Sequence, residues 1–198
     1  MSAAADMPCR LHYFIETTSG RLYAAPYNHT YDMSGTETER KFLVRKAGRE
    51  WRRLAVAQHD IRQGYMACKG ATVRVRLKDD RAFLTIKGPS ASGLSRYEFE
   101  KEISADEAHH LLQLCRGGLI EKTRYIVPAG RHICEVDEFH GANDGLVMAE
   151  IELGSEDEAY TAPPFVAAEV TGDRRFYNSH LLTNPYSLWR DTIPEECR

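Results

Sequence analysis

The sequence predicts a mainly β domain, either an antiparallel barrel or a sandwich, with few helices. Short runs in which side chains alternate with a period of two recur from residue 36 to residue 153, as is typical of antiparallel strands. Turn residues separate these runs, as at Asp79 and Asp80. The chain has 198 residues, of which 42% are hydrophobic, so it can bury the core of one domain.

Eight strands and two helices are predicted in chain order. The strands are TETERKFLV (36–44), IRQGYM (61–66), TVRVRLK (72–78), RAFLTIK (81–87), SRYEFEKEI (95–103), LIEKTRYIV (119–127), RHICEVDEF (131–139) and LVMAEIEL (146–153). Ser104 and Glu107 form a capping box before the amphipathic stretch AHHLLQLC, which predicts a helix that Gly117 and Gly118 stop. A shorter helix is predicted over 48–57.

The N-terminal 32 residues differ in character from the rest of the chain. They mix small, polar and aromatic residues without a sustained period. We therefore expect residues 1–32 to be an extension that is dispensable or poorly ordered, and residues 33–198 to form the domain.

Composition limits the partners that the chain can have. Lysine plus arginine number 26 against 29 acids, and this net charge of −3 gives no general reason to bind nucleic acid or an anionic membrane. The five cysteines are odd in number and lack metal-type spacing. Together with the absence of an export signal or a long apolar run, this predicts a cytoplasmic protein.

Charged residues in the predicted strands come in pairs spaced two apart, so the members of each pair share a face. The sets are Glu37, Glu39 and Lys41; Arg74 and Arg76; Glu98 and Glu100; Lys122 and Arg124; Glu135 and Asp137; and Glu150 and Glu152, with Lys87 alone. The residues between them are mostly apolar and supply the other face.

These pairs allow two interpretations. A half-buried sheet always has one solvated polar face, and any single strand fits that description. The sorting of charge sign strand by strand instead favours a barrel with its charged face inward and its apolar face covered by helices. Carboxylates suit hard cations, whereas arginine and lysine suit phosphate oxygens. Such a lumen would hold a metal-bound polyphosphate.

The motifs of the strands resemble the CYTH superfamily, the triphosphate tunnel metalloenzymes. The matching segments occur in the family's order: Glu37-Thr38-Glu39-Arg40-Lys41 as its ExExK signature, then Arg62-Gln63-Gly64-Tyr65, Arg74-Val75-Arg76, Thr85-Ile86-Lys87, Gly93-Leu94-Ser95-Arg96, Glu121-Lys122-Thr123-Arg124-Tyr125, Glu135-Val136-Asp137, Glu150-Ile151-Glu152 and VTGDRRFYN (170–178). The resemblance implies a closed eight-stranded antiparallel β-barrel tunnel with helices packed outside.

The resemblance also implies roles for individual residues. The expected ligands of Mg²⁺ or Mn²⁺ are Glu37, Glu39, Asp137, Glu150 and Glu152. The expected substrate-binding residues are Lys41, Arg74, Arg76, Lys87, Glu98, Glu100, Lys122, Arg124 and Arg175, the last closing one end. Lys41 and Tyr65 are expected to be catalytic. The general base stays open between Tyr65, a glutamate such as Glu98 or Glu100, and the metal.

The function implied is metal-dependent hydrolysis of a triphosphate, with inorganic tripolyphosphate as the expected substrate. Adenylate cyclase and thiamine triphosphatase activities are the alternatives within the family, although no segment indicates purine recognition. The non-enzymatic alternative is a polyphosphate-binding module, which the intact carboxylates at both ends disfavour. A small-molecule triphosphate is thus the expected partner, and a homodimer stays open.

Overall fold

The computed structural model describes residues 13–16, 22–25, 36–90 and 94–198. The chain divides into two compact units, Met1–Met33 and Ser34–Arg198. In the first unit, strands β1 (Tyr13–Glu16) and β2 (Leu22–Ala25) pair antiparallel, so the segment without a sustained period nevertheless contains a hairpin. The other residues of the predicted 1–32 extension lie outside the described residues.

The second unit contains a closed antiparallel barrel of eight strands. These are β3 (Thr36–Val44), β4 (Ala57–Met66), β5 (Thr72–Lys78), β6 (Arg81–Lys87), β7 (Ser95–Ile103), β8 (Ile120–Ala129), β9 (His132–Phe139) and β10 (Val147–Leu153). They follow the order β10-β9-β8-β4-β5-β6-β7-β3, and β10 also pairs with β3, which closes the ring. The barrel interpretation is confirmed, and the sandwich alternative is wrong.

The strand bounds agree closely with those predicted. Strands β3, β5, β6 and β7 begin and end at the predicted residues, whereas β4 begins at Ala57 rather than at residue 61. A further strand, β11 (Val166–Glu169), pairs with β3 next to the ring. It was not predicted because its four residues are too few to show an alternation.

The helices of the second unit are short. They are α1 (Glu50–Leu54), α2 (Ala105–Leu112) and α3 (Asn178–Leu181). The predicted capping box begins α2, because Ser104 Oγ accepts from the backbone N–H of Glu107 while the Glu107 carboxylate accepts from that of Ser104. Helix α1 is shorter than the predicted 48–57, since Gly48 and Arg49 have positive φ angles. No helix of the described residues is long and apolar enough to span a membrane.

The apolar face of the barrel points outward and is covered on two sides, whereas Ile86, Tyr97 and Phe99 of β6 and β7 are exposed. On one side Trp51 of α1 packs with Phe165 and with the outward residues of β3, β8, β9 and β10. On another side Ala108 of α2 packs on Val75 and Leu77 of β5. The helices thus cover part of the outer face and leave the outward residues of β6 and β7 exposed.

One end of the lumen is apolar. Leu43, Ile120, Phe139 and Met148 share the faces of the charged residues on β3, β8, β9 and β10, and they pack with residues that follow β11. We call this group the C-terminal cluster; its other buried members are Leu146, Phe176, Leu181, Tyr186, Trp189, Ile193 and Cys197. The segment after β11 therefore covers one end of the barrel.

Candidate active site

The paired charges face one another around the ring of strands. Cross-strand partners on the same face include Lys41 and Glu150, Arg124 and Asp137, Arg76 and Gln63, and Lys87 and Glu98. Because side chains alternate along each strand, these polar residues lie on the same side of the sheet in every strand of the closed ring.

Contacts that skip a strand show that this polar face points inward. Three ion pairs join strands that are separated by one other strand: Arg124 Nη2 to Glu150 Oε2 at 2.9 Å, Lys87 Nζ to Glu37 Oε2 at 2.6 Å, and Arg74 Nη2 to Glu100 Oε2 at 3.1 Å. Side chains can converge in this way only on the concave side of the sheet. The charged residues therefore line a lumen.

The most buried charges form one network between β8, β9, β10 and β3. Arg124 donates to both carboxylate oxygens of Asp137, each at 2.7 Å, and Lys122 Nζ lies 2.5 Å from Asp137 Oδ2. Glu150 accepts from Arg124 at 2.9 Å and from Lys41 at 2.5 Å. Lys122 and Asp137 are 1% and 0% exposed, so the charges of this part of the lumen wall are paired away from solvent.

The pairing changes the pKa values of these groups. Burial would raise the pKa of Asp137, but Arg124 and Lys122 outweigh it and hold the pKa below its usual value. Burial and the neighbouring Arg124 lower the pKa of Lys122 to about 8. The pKa of Lys41, in contrast, is raised despite burial by Glu150 and Glu39, so Lys122 is the lysine of this network that loses its proton more easily.

A second network lies between β3, β6 and β7. Lys87 Nζ is 2.6 Å from Glu37 and 2.8 Å from Glu98, and Arg96 lies 3.4 Å from both Glu37 and Glu39. Burial, only partly offset by Lys87, raises the pKa of Glu98. Glu98 is consequently a stronger base than an ordinary glutamate.

Arg74 connects β5 to β6 and β7 and keeps an unused donor. Its Nη2 donates to Thr85 Oγ1 at 2.9 Å and to Glu100 at 3.1 Å. Its Nε is buried and, among the described residues, has no hydrogen-bond partner. A buried donor without a partner is costly unless a ligand supplies an acceptor.

Arg76 is a guanidinium with no carboxylate partner within ion-pair distance in the described part of the chain. Its one hydrogen bond there runs from Nε to Gln63 Oε1 at 3.0 Å. Burial, followed by the nearby charges of Arg74 and Arg124, lowers the pKa of Arg76 to about 10, so it stays charged at neutral pH. Arg76 is partly buried, and a guanidinium in such a position without a carboxylate partner among the described residues has donors available for an anionic ligand.

The carboxylates of the lumen repel one another around Glu152. Burial, together with Glu135, Glu37 and Glu39, raises the pKa of Glu152 to about 8. A divalent cation would relieve this repulsion, and oxygen ligands are those that Mg²⁺ and Mn²⁺ prefer. No group of three or more potential ligands converges into a coordination shell among the described residues. The donor set fits a divalent cation, but the ion pairs would have to open.

Tyr65 lies where the C-terminal cluster meets the charged lumen. Its ring packs against the cluster, and its hydroxyl oxygen accepts a hydrogen bond of 2.8 Å from Gln63 Nε2. Burial raises the pKa of Tyr65, and Arg74 and Arg76 offset the shift only in part. The phenol therefore keeps its proton at neutral pH and is suited to donate rather than to accept one.

Arg175 is the expected site residue that the structure keeps apart from these networks. Its guanidinium pairs with Asp173 at 2.6 Å and lies over the rings of Phe176 and Trp189, with its side chain 44% exposed. It thus lies against the C-terminal cluster. Its expected contact with substrate stays a prediction.

Five polar residues join the networks without having been expected there. They are Gln63, Thr85, Arg96, Glu135 and Asn178. Each of the first four lies two positions before an expected site residue. The period of the strand already placed Glu135 on the lumen face, and the same period could have found Gln63, Thr85 and Arg96. Asn178 begins α3 and places Oδ1 at 3.5 Å from Lys122 Nζ, a contact that no local pattern indicates.

The chain matches a known family over the whole of this barrel. The CYTH domain model matches residues 35–177, and the chain belongs to the CYTH family. It is 44% identical over 159 residues to an inorganic triphosphatase of Acetivibrio thermocellus, which covers 79% of this chain and 99% of that relative. It is 37% identical over 152 residues to an inorganic triphosphatase of Nitrosomonas europaea, covering 74% of this chain and 96% of that one. A crystal structure of an inorganic triphosphatase superposes with a TM-score of 0.52 at 30% identity, over 74% of this chain and 93% of that chain.

Proposed function

We propose that this protein hydrolyses inorganic tripolyphosphate to pyrophosphate and orthophosphate with the help of a divalent metal. The observation that carries the proposal is Arg76, a lumen guanidinium flanked by Arg74 and Arg124 that lacks a carboxylate partner among the described residues. A triphosphate carries roughly four to five negative charges near neutral pH and would supply the missing anion. The relatives at 44% and 37% identity bear the same activity in their names.

The cations of the lumen would bind the phosphate chain. Arg74 and Arg76 have donors left for phosphate oxygens, and Lys122 and Arg124 form the adjoining wall. Phosphoryl transfer needs mainly positioning and charge stabilisation, which fixed cations supply without reorganising. Lys41 would take part once its carboxylate partners Glu39 and Glu150 turn to other cations.

The carboxylates assigned to the metal are Glu37, Glu39, Asp137, Glu150 and Glu152. Burial, together with Glu135, Glu37 and Glu39, raises the pKa of Glu152 to about 8. When bound, a divalent cation neutralises substrate charge and orients the attacking water. Asp137 and Glu150 pair with cations of the lumen, and so do Glu37 with Lys87 and Glu39 with Lys41. These ion pairs would open when the metal binds. Mg²⁺ and Mn²⁺ are both candidates for this metal.

The protein's own residues would manage the protons of the reaction. Water attacks the terminal phosphorus, the bond to the bridging oxygen breaks, and pyrophosphate leaves with the electron pair. Among the candidate bases, Glu98 is favoured over Glu100, because the pKa of Glu98 is raised while Thr85 and Arg74 hold that of Glu100 down. Tyr65 keeps its proton because its pKa is raised, and its hydroxyl would donate a hydrogen bond to a phosphate oxygen.

A substrate panel tests the proposal. Tripolyphosphate, ATP and thiamine triphosphate are compared by kcat/KM, with orthophosphate and cyclic AMP both measured and the metal varied. Tripolyphosphate should give the highest kcat/KM. The nucleobase of ATP would add desolvation and ordering costs, and no segment of the sequence indicates contacts that would recognise a purine. ATP as the best substrate with cyclic AMP as the main product would establish the cyclase alternative instead.

Arg76→Ala links the panel to the lumen. It should lower kcat/KM for tripolyphosphate by about a hundredfold or more, since it removes one electrostatic partner of the transition state. Arg62→Ala is the matched control, because Arg62 is an exposed arginine on the outer face of β4. Equal activity of the two variants would contradict the proposal.

Cytoplasmic location remains part of the proposal. The four cysteines of the described residues, Cys68, Cys115, Cys134 and Cys197, are all free, as expected in a reducing compartment.

A further inference from the structure

Gln63 is a polar side chain that is fully buried in the wall of the lumen. It lies on β4 opposite Arg76 of β5 in the strand register and is 0% exposed. Its amide makes two hydrogen bonds: Oε1 accepts from Arg76 Nε at 3.0 Å, and Nε2 donates to Tyr65 Oη at 2.8 Å. A buried amide is retained only where such bonds compensate its desolvation.

The direction of both hydrogen bonds follows from the chemistry of the partners. A guanidinium has donors and no acceptor, so the amide atom that faces Arg76 must be the oxygen. The atom that faces Tyr65 is then the NH₂ group, which has donors only. Tyr65 Oη must therefore accept, and the contact with Arg76 sets the direction of the contact with Tyr65.

This direction determines where the phenolic proton of Tyr65 points. A phenol O–H prefers the plane of its ring and has two orientations there, on opposite sides of the C–O bond. The amide hydrogen of Gln63 occupies one side, so the O–H takes the other. In the part of the chain that the structure describes, no protein acceptor takes this proton. The ring itself is held by the C-terminal cluster.

We propose that Gln63 is a positioning residue that keeps the Tyr65 O–H aimed at a phosphate oxygen of the substrate. The inference rests on the proposed triphosphate hydrolysis and adds the residue that sets the direction of one of its donors. Arg74 lies opposite Tyr65, and Arg76 opposite Gln63, in the register of β4 and β5, so both guanidinium groups share the lumen face with this hydroxyl. A fixed O–H beside two guanidinium groups is a preorganised donor for a polyanion.

A double-mutant cycle separates this role from a general effect on the lumen. The variants are Gln63→Met, which keeps the length of the side chain and removes the amide, Tyr65→Phe, and the two together. Gln63→Met should lower kcat on tripolyphosphate by about tenfold or more with a smaller change in KM, because a misaimed donor fails in the transition state. In the Tyr65→Phe background the same change should cost less than about threefold. Costs that multiply across the two backgrounds would overturn the proposal.

Gln58→Leu is the matched control for a lost amide on the same strand. Gln58 lies on the outer face of β4 and is exposed, so this change should leave kcat and KM as in the wild type. A loss of kcat in this control as large as that of Gln63→Met would assign the effect to β4 as a whole and contradict the proposal.

A second measurement follows the hydrogen bond itself and needs no substrate. With 3-fluorotyrosine at position 65, the phenol is more acidic and titrates where the fold persists, as followed by ¹⁹F NMR. Because the amide donor stabilises the phenolate, Gln63→Met should raise the midpoint of this titration. An unchanged midpoint would refute the contact.

The same titration in the chain with Gln63 intact covers the case in which Gln63→Met does not fold. The side-chain amide proton signals of Gln63 should then shift with the ionisation of position 65, and signals that stay constant would refute the contact. A wild type inactive on tripolyphosphate but active on another triphosphate would overturn the proposed substrate alone. The cycle would then be run on that substrate, and the titration would stand unaffected.

Discussion

Glu152, like Glu98, is a lumen carboxylate whose pKa moves upward, in the case of Glu152 to about 8. Asp137 and Glu150 have cations at hydrogen-bond distance, so their pKa values fall despite burial. At Glu152, burial and the neighbouring glutamates determine the direction of the pKa shift. Without metal, the Glu152 carboxyl therefore keeps its proton at neutral pH. A metal ion must therefore displace a proton there.

Metal binding should consequently strengthen as pH rises. Below pH 8 the apparent association constant for Mn²⁺ should increase by about tenfold per pH unit, and above it the increase should level off. The measurement is Mn²⁺ binding by electron paramagnetic resonance without substrate, at several pH values between 6 and 9. Glu152→Gln should flatten the dependence, whereas Glu121→Gln, on an exposed position of β8, should keep it. Equal slopes for wild type and Glu152→Gln would contradict this assignment.

Among the elements, the strands were predictable from sequence and the cover of the lumen was not. Alternation is a local property, so it showed that Arg74 and Arg76 share a face and where β5 begins and ends. The ion pair of Lys87 with Glu37 depends on how β6 and β3 approach across the closed ring, which no local pattern encodes. Likewise, the segment after β11 has no sustained period, and only tertiary packing places it on the end of the barrel.

The C-terminal cluster should be a main source of stability for the barrel. Trp189 meets Phe176 at 5.3 Å and Tyr186 at 5.1 Å between ring centroids, both edge-on, and is 8% exposed. Trp189→Ala should lower the free energy of unfolding by about 3–5 kcal/mol, measured by urea denaturation. Leu188→Ala is the control, because Leu188 is 73% exposed and its loss should change stability little. A loss of stability in Trp189→Ala as small as that expected for Leu188→Ala would show that the cluster contributes less than its packing indicates.

At the scale of the whole molecule, the ring of strands lies entirely within one of the two units. Every barrel strand belongs to Ser34–Arg198, whereas β1 and β2 pair with each other in Met1–Met33. The second unit thus begins one residue before the family match, which starts at residue 35. The barrel closes without a strand from the first unit.

A chain that begins at Met33 should therefore fold and keep its activity. Its melting temperature and its kcat/KM on tripolyphosphate should stay close to those of the full chain, because no strand of the ring is lost. Both are measured side by side on the two chains. A loss of several kcal/mol of stability, or of most of the activity, would mean that residues 1–32 contribute to the barrel.

The apolar cover at one end of the lumen also has a consequence for turnover under the proposed function. Phe139, Met148 and the other members of the C-terminal cluster pack together at that end. We therefore expect the phosphate chain to enter, and its fragments to leave, by the opposite end. Pyrophosphate that stays bound would then exclude the next substrate molecule, so that product inhibition is expected to be competitive with tripolyphosphate.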